Sequence, residues 1–506
     1  MTGAYWRGVG ALGLLLAGCT VGPDYKAAPP VATPAAYKEL PKGAESGLWR
    51  RAQPLDGAVR GKWWEIFGDP ELNALEDQVT AANQNLKVAE ANFRQARALI
   101  GVQQAGQYPA LSLSPSVTSL RDSGHTPYFS QAHPTPTGEF ELPFDLSYEI
   151  DLWGRIRRSV TAAREQAQAS AGDLATVALS LHAELAIDWV ELRAADAQQQ
   201  LLNDTVASFA DALKLTEDRF AGGGASEADV AQARTQLQTT QVQATDIAVA
   251  RAQFEHAIAV LIGKPPGDFS LPARPLTLEP PPVPVGVPSE LLQRRPDIAA
   301  AERRVAAANE QIGIAEAAFY PSLTLSAVGG FIGTEAANWL QWGSVAWAVG
   351  GALSQPLFDA GLRRSQSAAA VASYEGTVAS YRETTLEAFQ QVEDNLAALQ
   401  ILDREAQQQK VAVASAENSL RIFTNRYVGG IDPYLQVVTA QSVALANERN
   451  DLDIRRRRIE ADVLLVKALG GGWSTKDLPS LKGRSPYTFE VNLPGMGSGI
   501  DVPKAP

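Results

Sequence analysis

Hydrophobic positions in this chain keep two different periods. From about residue 69 to 107, and again from about 297 to 318, apolar residues recur at three and four, as in the face formed by Leu86, Ala89, Phe93 and Ala96, and this spacing predicts amphipathic helices. Pro70 and Pro296 suit first helical turns. Tyr108-Pro109 and Tyr320-Pro321 end the two helices, because a proline ring drives the residue before it out of the helical region. Beyond each stop the period falls to two. Phe140, Leu142, Phe144, Leu146, Tyr148, Ile150 and Leu152 alternate with Glu139, Glu141, Asp145, Ser147, Glu149 and Asp151, interrupted only by Pro143. This predicts a strand with one apolar and one acidic face, long enough to cross a bilayer when tilted. Shorter alternations run through Leu111, Leu113 and Val117, through Leu323 and Leu325, and through Val345, Trp347, Val349 and Leu353, giving four strands in all. A water-soluble antiparallel sheet would show the same alternation, so the period alone leaves both readings open.

Residues 155–220 and 363–427 contain no proline, and at 1.5 Å per residue each could reach roughly 100 Å as a helix. Such length suits a coiled-coil wall better than a globular core. Gly222-Gly223-Gly224 and Gly429-Gly430 follow, and the chain turns back through residues 226–262 and 433–469. These glycines are expected to supply the positive φ that ends a helix. The same order of elements is thus spelled twice. Arg219-Phe220-Ala221-Gly222-Gly223 is echoed by Arg426-Tyr427-Val428-Gly429-Gly430, Leu261-Ile262-Gly263 by Ala468-Leu469-Gly470, and Tyr108-Pro109 by Tyr320-Pro321, at offsets of 207 to 212 residues. A repeat of that length is a duplicated structural unit. Two strands per repeat make four per chain, whereas the smallest closed membrane barrels use about eight. An open edge in lipid leaves backbone groups unpaired at several kcal/mol each. The strands must therefore be pooled between chains, and three chains would supply twelve.

A net charge of −12 argues against nucleic acid as a partner. The one basic run, Arg455 to Arg458, falls in a helical pattern, where a solvated or subunit-facing surface competes with an anion site. The single cysteine, Cys19, excludes a disulfide framework and a multi-cysteine metal centre. It follows Arg7, an apolar stretch and Leu16-Ala17-Gly18, which reads as a secretory leader too short to stay as a membrane span. His125, His133, His182 and His256 are scattered, so nothing gathers a catalytic or metal constellation and no cofactor is expected.

Leu16-Ala17-Gly18-Cys19 resembles a bacterial lipobox, which implies cleavage before Cys19 and covalent lipid on it, with Thr20 favouring the outer membrane. More broadly, the chain resembles a TolC-type outer-membrane factor of the NodT-like lipoprotein subgroup that serves RND efflux systems. The motifs are Cys19-Thr20-Val21-Gly22-Pro23-Asp24-Tyr25, Trp63-Trp64 with Phe67-Gly68-Asp69-Pro70, Arg294-Arg295-Pro296-Asp297-Ile298, Tyr427-Val428-Gly429-Gly430 and Ala468-Leu469-Gly470-Gly471-Gly472-Trp473. The resemblance implies a mainly α chain with a β-barrel part, forming a homotrimer. Its twelve-stranded outer-membrane barrel would continue into a long periplasmic α-helical barrel and act as exit duct for an inner-membrane RND pump and a periplasmic adaptor. A type I protein-export role and a pore-free coiled-coil scaffold are the alternatives. The expected divisions are a leader, residues 1–18; a lipid-anchored segment, 19–68; a first repeat, 69–263; a Pro-rich connector, 264–296; a second repeat, 297–472; and a tail, 473–506.

The resemblance also implies that helix turns at Gly222, Gly223, Gly429 and Gly430 form the periplasmic tips. Leu435 matches an apolar aperture position and Tyr427 a tyrosine that bonds between helices in the resting state. Gln436 and Thr439 stand where some relatives carry acids, while Asp432, Glu227 and Asp229 could restore a negative entrance. Helix capping is the competing role for these acids, since Asp432 precedes Pro433 and Ser226 stands three residues before Asp229. In the strands, Glu141, Asp145, Glu149 and Asp151 are expected to line a hydrated lumen.

Overall fold

A computed structural model describes residues 20–28, 31–39, 49–51, 62–121, 123, 125, 137–276, 281, 283–285 and 291–481. Cys19, the leader, His133 and the tail beyond residue 481 lie outside them. The first repeat runs α1 (Pro70–Ala82), α2 (Gln84–Ala105), β1 (Ala110–Leu113), β2 (Ser116–Leu120), β3 (Thr137–Ile150), α3 (Arg155–Ala221) and α4 (Glu227–Leu261). The second runs α5 (Pro296–Ala317), β4 (Ser322–Gly333), β5 (Val345–Ser354), α6 (Leu362–Val428) and α7 (Tyr434–Ala468). The duplication is metrically close: α3 and α6 are each 67 residues and α4 and α7 each 35.

The single helix expected over residues 69–107 is broken at Asn83, whose backbone is extended (φ −60, ψ 128). Asn83 Oδ1 accepts from the Leu86 amide while its Nδ2 donates to the Leu261 carbonyl, so one side chain restarts α2 and ties it to the end of α4. The apolar spacing continues across this break, which is why periodicity does not reveal it.

β1 and β2 are two pieces of one strand position, both paired antiparallel to β3, which pairs with β4, and β4 with β5. The register puts the apolar positions on one face. Leu111, Leu146, Ala327 and Val349 form one cross-strand row and Leu113, Phe144, Gly329 and Trp347 the next. Trp347 is 77% exposed and Val349 75%, a cost in water that lipid removes. The opposite face carries Ser112 beside Asp145 and Ser116 beside Glu141. β1 and β2 at one edge and β5 at the other have no further strand beside them among the described residues.

Below the sheet, α3 packs against α2, α4, α5 and α7, and the core at this level draws on both repeats, with Trp63, Leu72, Leu185, Trp189 and Ile258 buried beside Ile298, Val392, Leu396 and Val463. The Pro-rich connector is fastened here. Arg193 and Arg251 donate to the carbonyls of Pro272 and Leu271 (2.8 and 2.7 Å), and Val283–Val285 pairs in parallel with Trp49–Arg51. Residues 37–39 are docked as well: Tyr37 is buried, and the Lys38 and Glu39 amides donate to the Glu393 carboxylate at 2.7 and 3.1 Å. Among the described residues no helix is long and apolar enough to cross a membrane.

Candidate functional site

The ends of α3 and α6 farthest from the sheet are built alike. Gly224 N donates to Arg219 O and Gly223 N to Phe220 O, and in the second repeat Ile431 N donates to Arg426 O and Gly430 N to Tyr427 O. Both are Schellman turns, which satisfy the last helical carbonyls while reversing the chain. Only the second glycine of each pair is left-handed, Gly223 at φ 78 and Gly430 at φ 74. Gly222 and Gly429 stay right-handed at φ −81 and −74, correcting the expectation that all four supply positive φ.

The structure brings the two turns together through a residue the sequence reading passed over. Arg219 of the first repeat reaches across to the second, its Nη1 donating to the carbonyls of Tyr427 (2.7 Å) and Val428 (3.1 Å), while its guanidinium lies 4.6 Å from the Tyr427 ring centre. Tyr427 is only 5% exposed. Its hydroxyl donates to Thr216 Oγ1 at 3.4 Å, and its ring meets Tyr434 at 5.1 Å in a small core with Ala233 and Val437. Burial first, and the neighbouring Tyr427 and Asp229 second, push the Tyr434 hydroxyl up to about 12. Arg219 and Arg426 hold equivalent places in the repeated motif, so the signal was present as the conserved spacing of an arginine before each turn within this one chain.

Leu435 stands 51% exposed on the first turn of α7, with Thr439 one turn on, also exposed, its Oγ1 donating to Leu435 O at 2.9 Å. The acids divide. Asp229 forms a capping box with Ser226, the Ser226 amide donating to it at 2.8 Å. Asp432 does not cap α7, whose N-cap is Pro433; it takes a two-pronged ion pair from Arg426 (2.6 and 3.0 Å), which holds its carboxyl below the usual range. Glu227 is left exposed on the surface.

The four strand acids also separate. Asp145 lies on the small, polar face and Glu141 accepts from Ser116 Oγ at 3.1 Å there. Glu149 is neutralised by Arg155 at 2.7 Å. Asp151 lies beyond the end of β3 and is engaged at the start of α3, accepting from the amides of Ile156 and Arg157 at 3.1 and 2.8 Å. Alternation specifies which face a residue takes; it does not specify the partner it finds there. The arginine run likewise is no anion site: Arg456 pairs with Glu191 (2.5 Å) and Glu460 (2.7 Å), Arg457 with Glu405 (3.0 Å) and Arg458 with Asp403 (3.1 Å), stitching α7 to α3 and α6. Among the described residues no group of His, Cys, Asp and Glu is placed to hold a metal.

A sheet that faces lipid on one side and carboxylates on the other, mounted on helices about 100 Å long, is the construction of an outer-membrane channel with a periplasmic helical extension. The chain belongs to the outer membrane efflux protein family, whose model matches residues 75–264 and 287–471. It is 32% identical over 474 residues to the toluene efflux pump outer membrane protein TtgF of Pseudomonas putida, covering 92% of this chain and 96% of that protein. It is 31% identical over 446 residues to the pyoverdine export outer membrane protein OpmQ of Pseudomonas aeruginosa, covering 86% and 94%. The fold matches the solved outer-membrane channel OprN with a TM-score of 0.82 at 28% identity, over 90% of this chain and all of that one. The protein is thus an outer-membrane exit duct of an efflux system, with most of its length on the periplasmic side.

Proposed function

We propose that three copies join edge to edge, β5 of one beside β1 and β2 of the next, into a twelve-stranded barrel whose lumen continues through a ring of six helical hairpins. The observation that carries this reading is the sheet of four strand positions with an apolar outer face and two edges that are bare among the described residues, a form that lipid does not tolerate unclosed. The helical walls close in the same way: α4 presents exposed Val242 and Val249, and α6 presents exposed Ile401 and Val411, for the neighbouring copy to cover. Covalent lipid on Cys19 adds a second hold on the membrane, and the duct performs no chemistry on what it passes. An inner-membrane pump of the RND class and a periplasmic adaptor deliver cargo to the tips. TtgF and OpmQ, similarly related to this chain, are named for toluene and pyoverdine; this fits a duct that leaves selection to the pump.

The resting tip is held shut by the contacts between its two turns. Leu435, with Thr439 behind it, projects into the aperture; Tyr427 and Arg219 hold the hairpins at the spacing that keeps it narrow; Glu227 and Asp229 give the entrance its negative rim, while the charge of Asp432 is offset by Arg426. The first test is the mass of the detergent-purified protein: three chains per particle support the closed barrel, and a monomer overturns it.

A further inference from the structure

A second built site lies at the opposite end of the helices, where the sheet meets α3. Arg158, in the first turn of α3, has a side chain only 6% exposed. Its guanidinium donates to three successive main-chain carbonyls of the N-terminal segment, Val21 (2.8 Å), Gly22 (3.0 Å) and Pro23 (3.2 Å), and reaches Asp24 Oδ1 at 3.3 Å. Glu310 of α5 holds the guanidinium from behind at 2.8 Å, and Asn309 donates to the Pro23 carbonyl at 3.0 Å. The Val21 amide donates to Trp153 O at 3.1 Å, and the Tyr25 hydroxyl donates to the Glu302 carboxylate. The cradle is cut close. A Cβ on Gly22, which sits at φ +100, would lie 2.4 Å from Gly313 Cα, and a Cβ on Gly313 would lie 2.5 Å from Arg158 Cδ. Two glycines face each other because neither backbone has room for a side chain.

We propose that Arg158, backed by Glu310 and opposed by Gly313, is a receptor for the mature N-terminal segment, and that seating residues 20–25 there fixes the amino terminus at the periplasmic rim of the barrel. The planar fork of an arginine matches successive carbonyls where a lysine ammonium would satisfy fewer. A guanidinium buried this deeply and deprived of those acceptors would be left underpaired, so the segment and its receptor are each stabilised by the other. Thr20 rests against Gly154, four residues past the end of β3, which puts the start of the docked segment beside the end of a barrel strand. The contact also spans the repeats, since Arg158 and Trp153 belong to the first and Glu310 and Gly313 to the second. The inference rests on the proposed lipid anchor only in what hangs from residue 19; the docking itself needs no lipid.

The test is hydrogen exchange of the full-length, detergent-purified protein, followed by mass spectrometry on a peptide covering residues 20–28. In the unsubstituted protein the segment is protected. Arg158→Gln and Gly22→Ala each raise its exchange by roughly tenfold or more, with exchange in α4 unchanged. Unchanged exchange of the segment in both variants, or a segment already unprotected in the unsubstituted protein, overturns the proposal. Gly22→Ala alters the segment alone and decides the matter if Arg158→Gln fails to fold. The mass of a separate peptide that includes Cys19 reads acylation, so an unacylated terminus would remove the anchor without touching the docking.

Discussion

Replacing Arg219 by alanine should open the resting duct, and the structure says by how much. The side chain bridges the two hairpins through hydrogen bonds of 2.7 and 3.1 Å to the Tyr427 and Val428 carbonyls and a cation–π contact at 4.6 Å. Charged donors to buried acceptors contribute about 1.5–3 kcal/mol and exposed cation–π contacts about 0.5–1. The Val428 carbonyl is at the surface and counts for little, so a loss of about 2 kcal/mol per protomer is reasonable, a shift of about 30-fold in the open-to-closed ratio. With three tips contributing independently the trimer moves further still. The control is Arg426→Ala, which removes an ion pair to Asp432 of similar geometry but within a single hairpin. Its two partners travel together when hairpins part, so its loss should leave gating almost unchanged. Both variants would be compared with the unsubstituted protein by open probability in a planar bilayer, at equal trimer content. If Arg219→Ala conducts like the unsubstituted channel, or if Arg426→Ala opens it equally, the bridge between the turns is not what holds the tip.

Three further outcomes follow from other parts of the molecule. Leu435→Ser and Tyr427→Ala should each raise passive conductance, and unchanged conductance in both would discard their assignment to the aperture. Joint replacement of Glu141 and Asp145 by Gln and Asn should weaken cation preference in reversal-potential measurements, whereas Glu149→Gln should not, because Arg155 already neutralises that carboxylate. Glu76 and His182 form a buried pair 2.6 Å apart. Burial pushes the Glu76 carboxyl from 4.5 up to about 9 and the His182 imidazole from 6.5 down to about 4, so the pair is neutral at pH 7. Between pH 4.5 and 6.5 the folded chain's extra proton on Glu76 is offset by the unfolded chain's extra proton on His182. Above that window only the Glu76 difference remains, and stability falls by about 1.4 kcal/mol per pH unit toward pH 9. Glu76→Gln removes the loss, and circular dichroism melts should show its midpoint holding steady over the range where the unsubstituted protein declines; parallel declines would refute the protonation.

Much of the architecture is written in local pattern. Alternation from residue 139 to 152 marks β3 to within a few residues, and the two proline-free stretches appear as the 67-residue helices α3 and α6. These features are legible because lipid, water and the helical period act on each residue separately. What escaped is set by partners distant in sequence. The break at Asn83 exists because its amide nitrogen finds Leu261, 178 residues away. Arg219 gains meaning only when the second turn lies beside the first. Residues 19–25 were legible as a motif but Arg158, which holds them, was not, because its role shows only once residue 22 and residue 313 are in contact. The partners of the strand acids were hidden for the same reason: Glu149 finds Arg155, and Asp151 finds the amides at the start of α3.

The most direct test of the account is single-channel recording from the detergent-purified trimer in a planar bilayer, before and after Arg219→Ala. The account predicts small, discrete, cation-preferring openings that become frequent and larger when the bridge is removed. A trimer that stays silent in both forms, or a pore already wide before substitution, would contradict it.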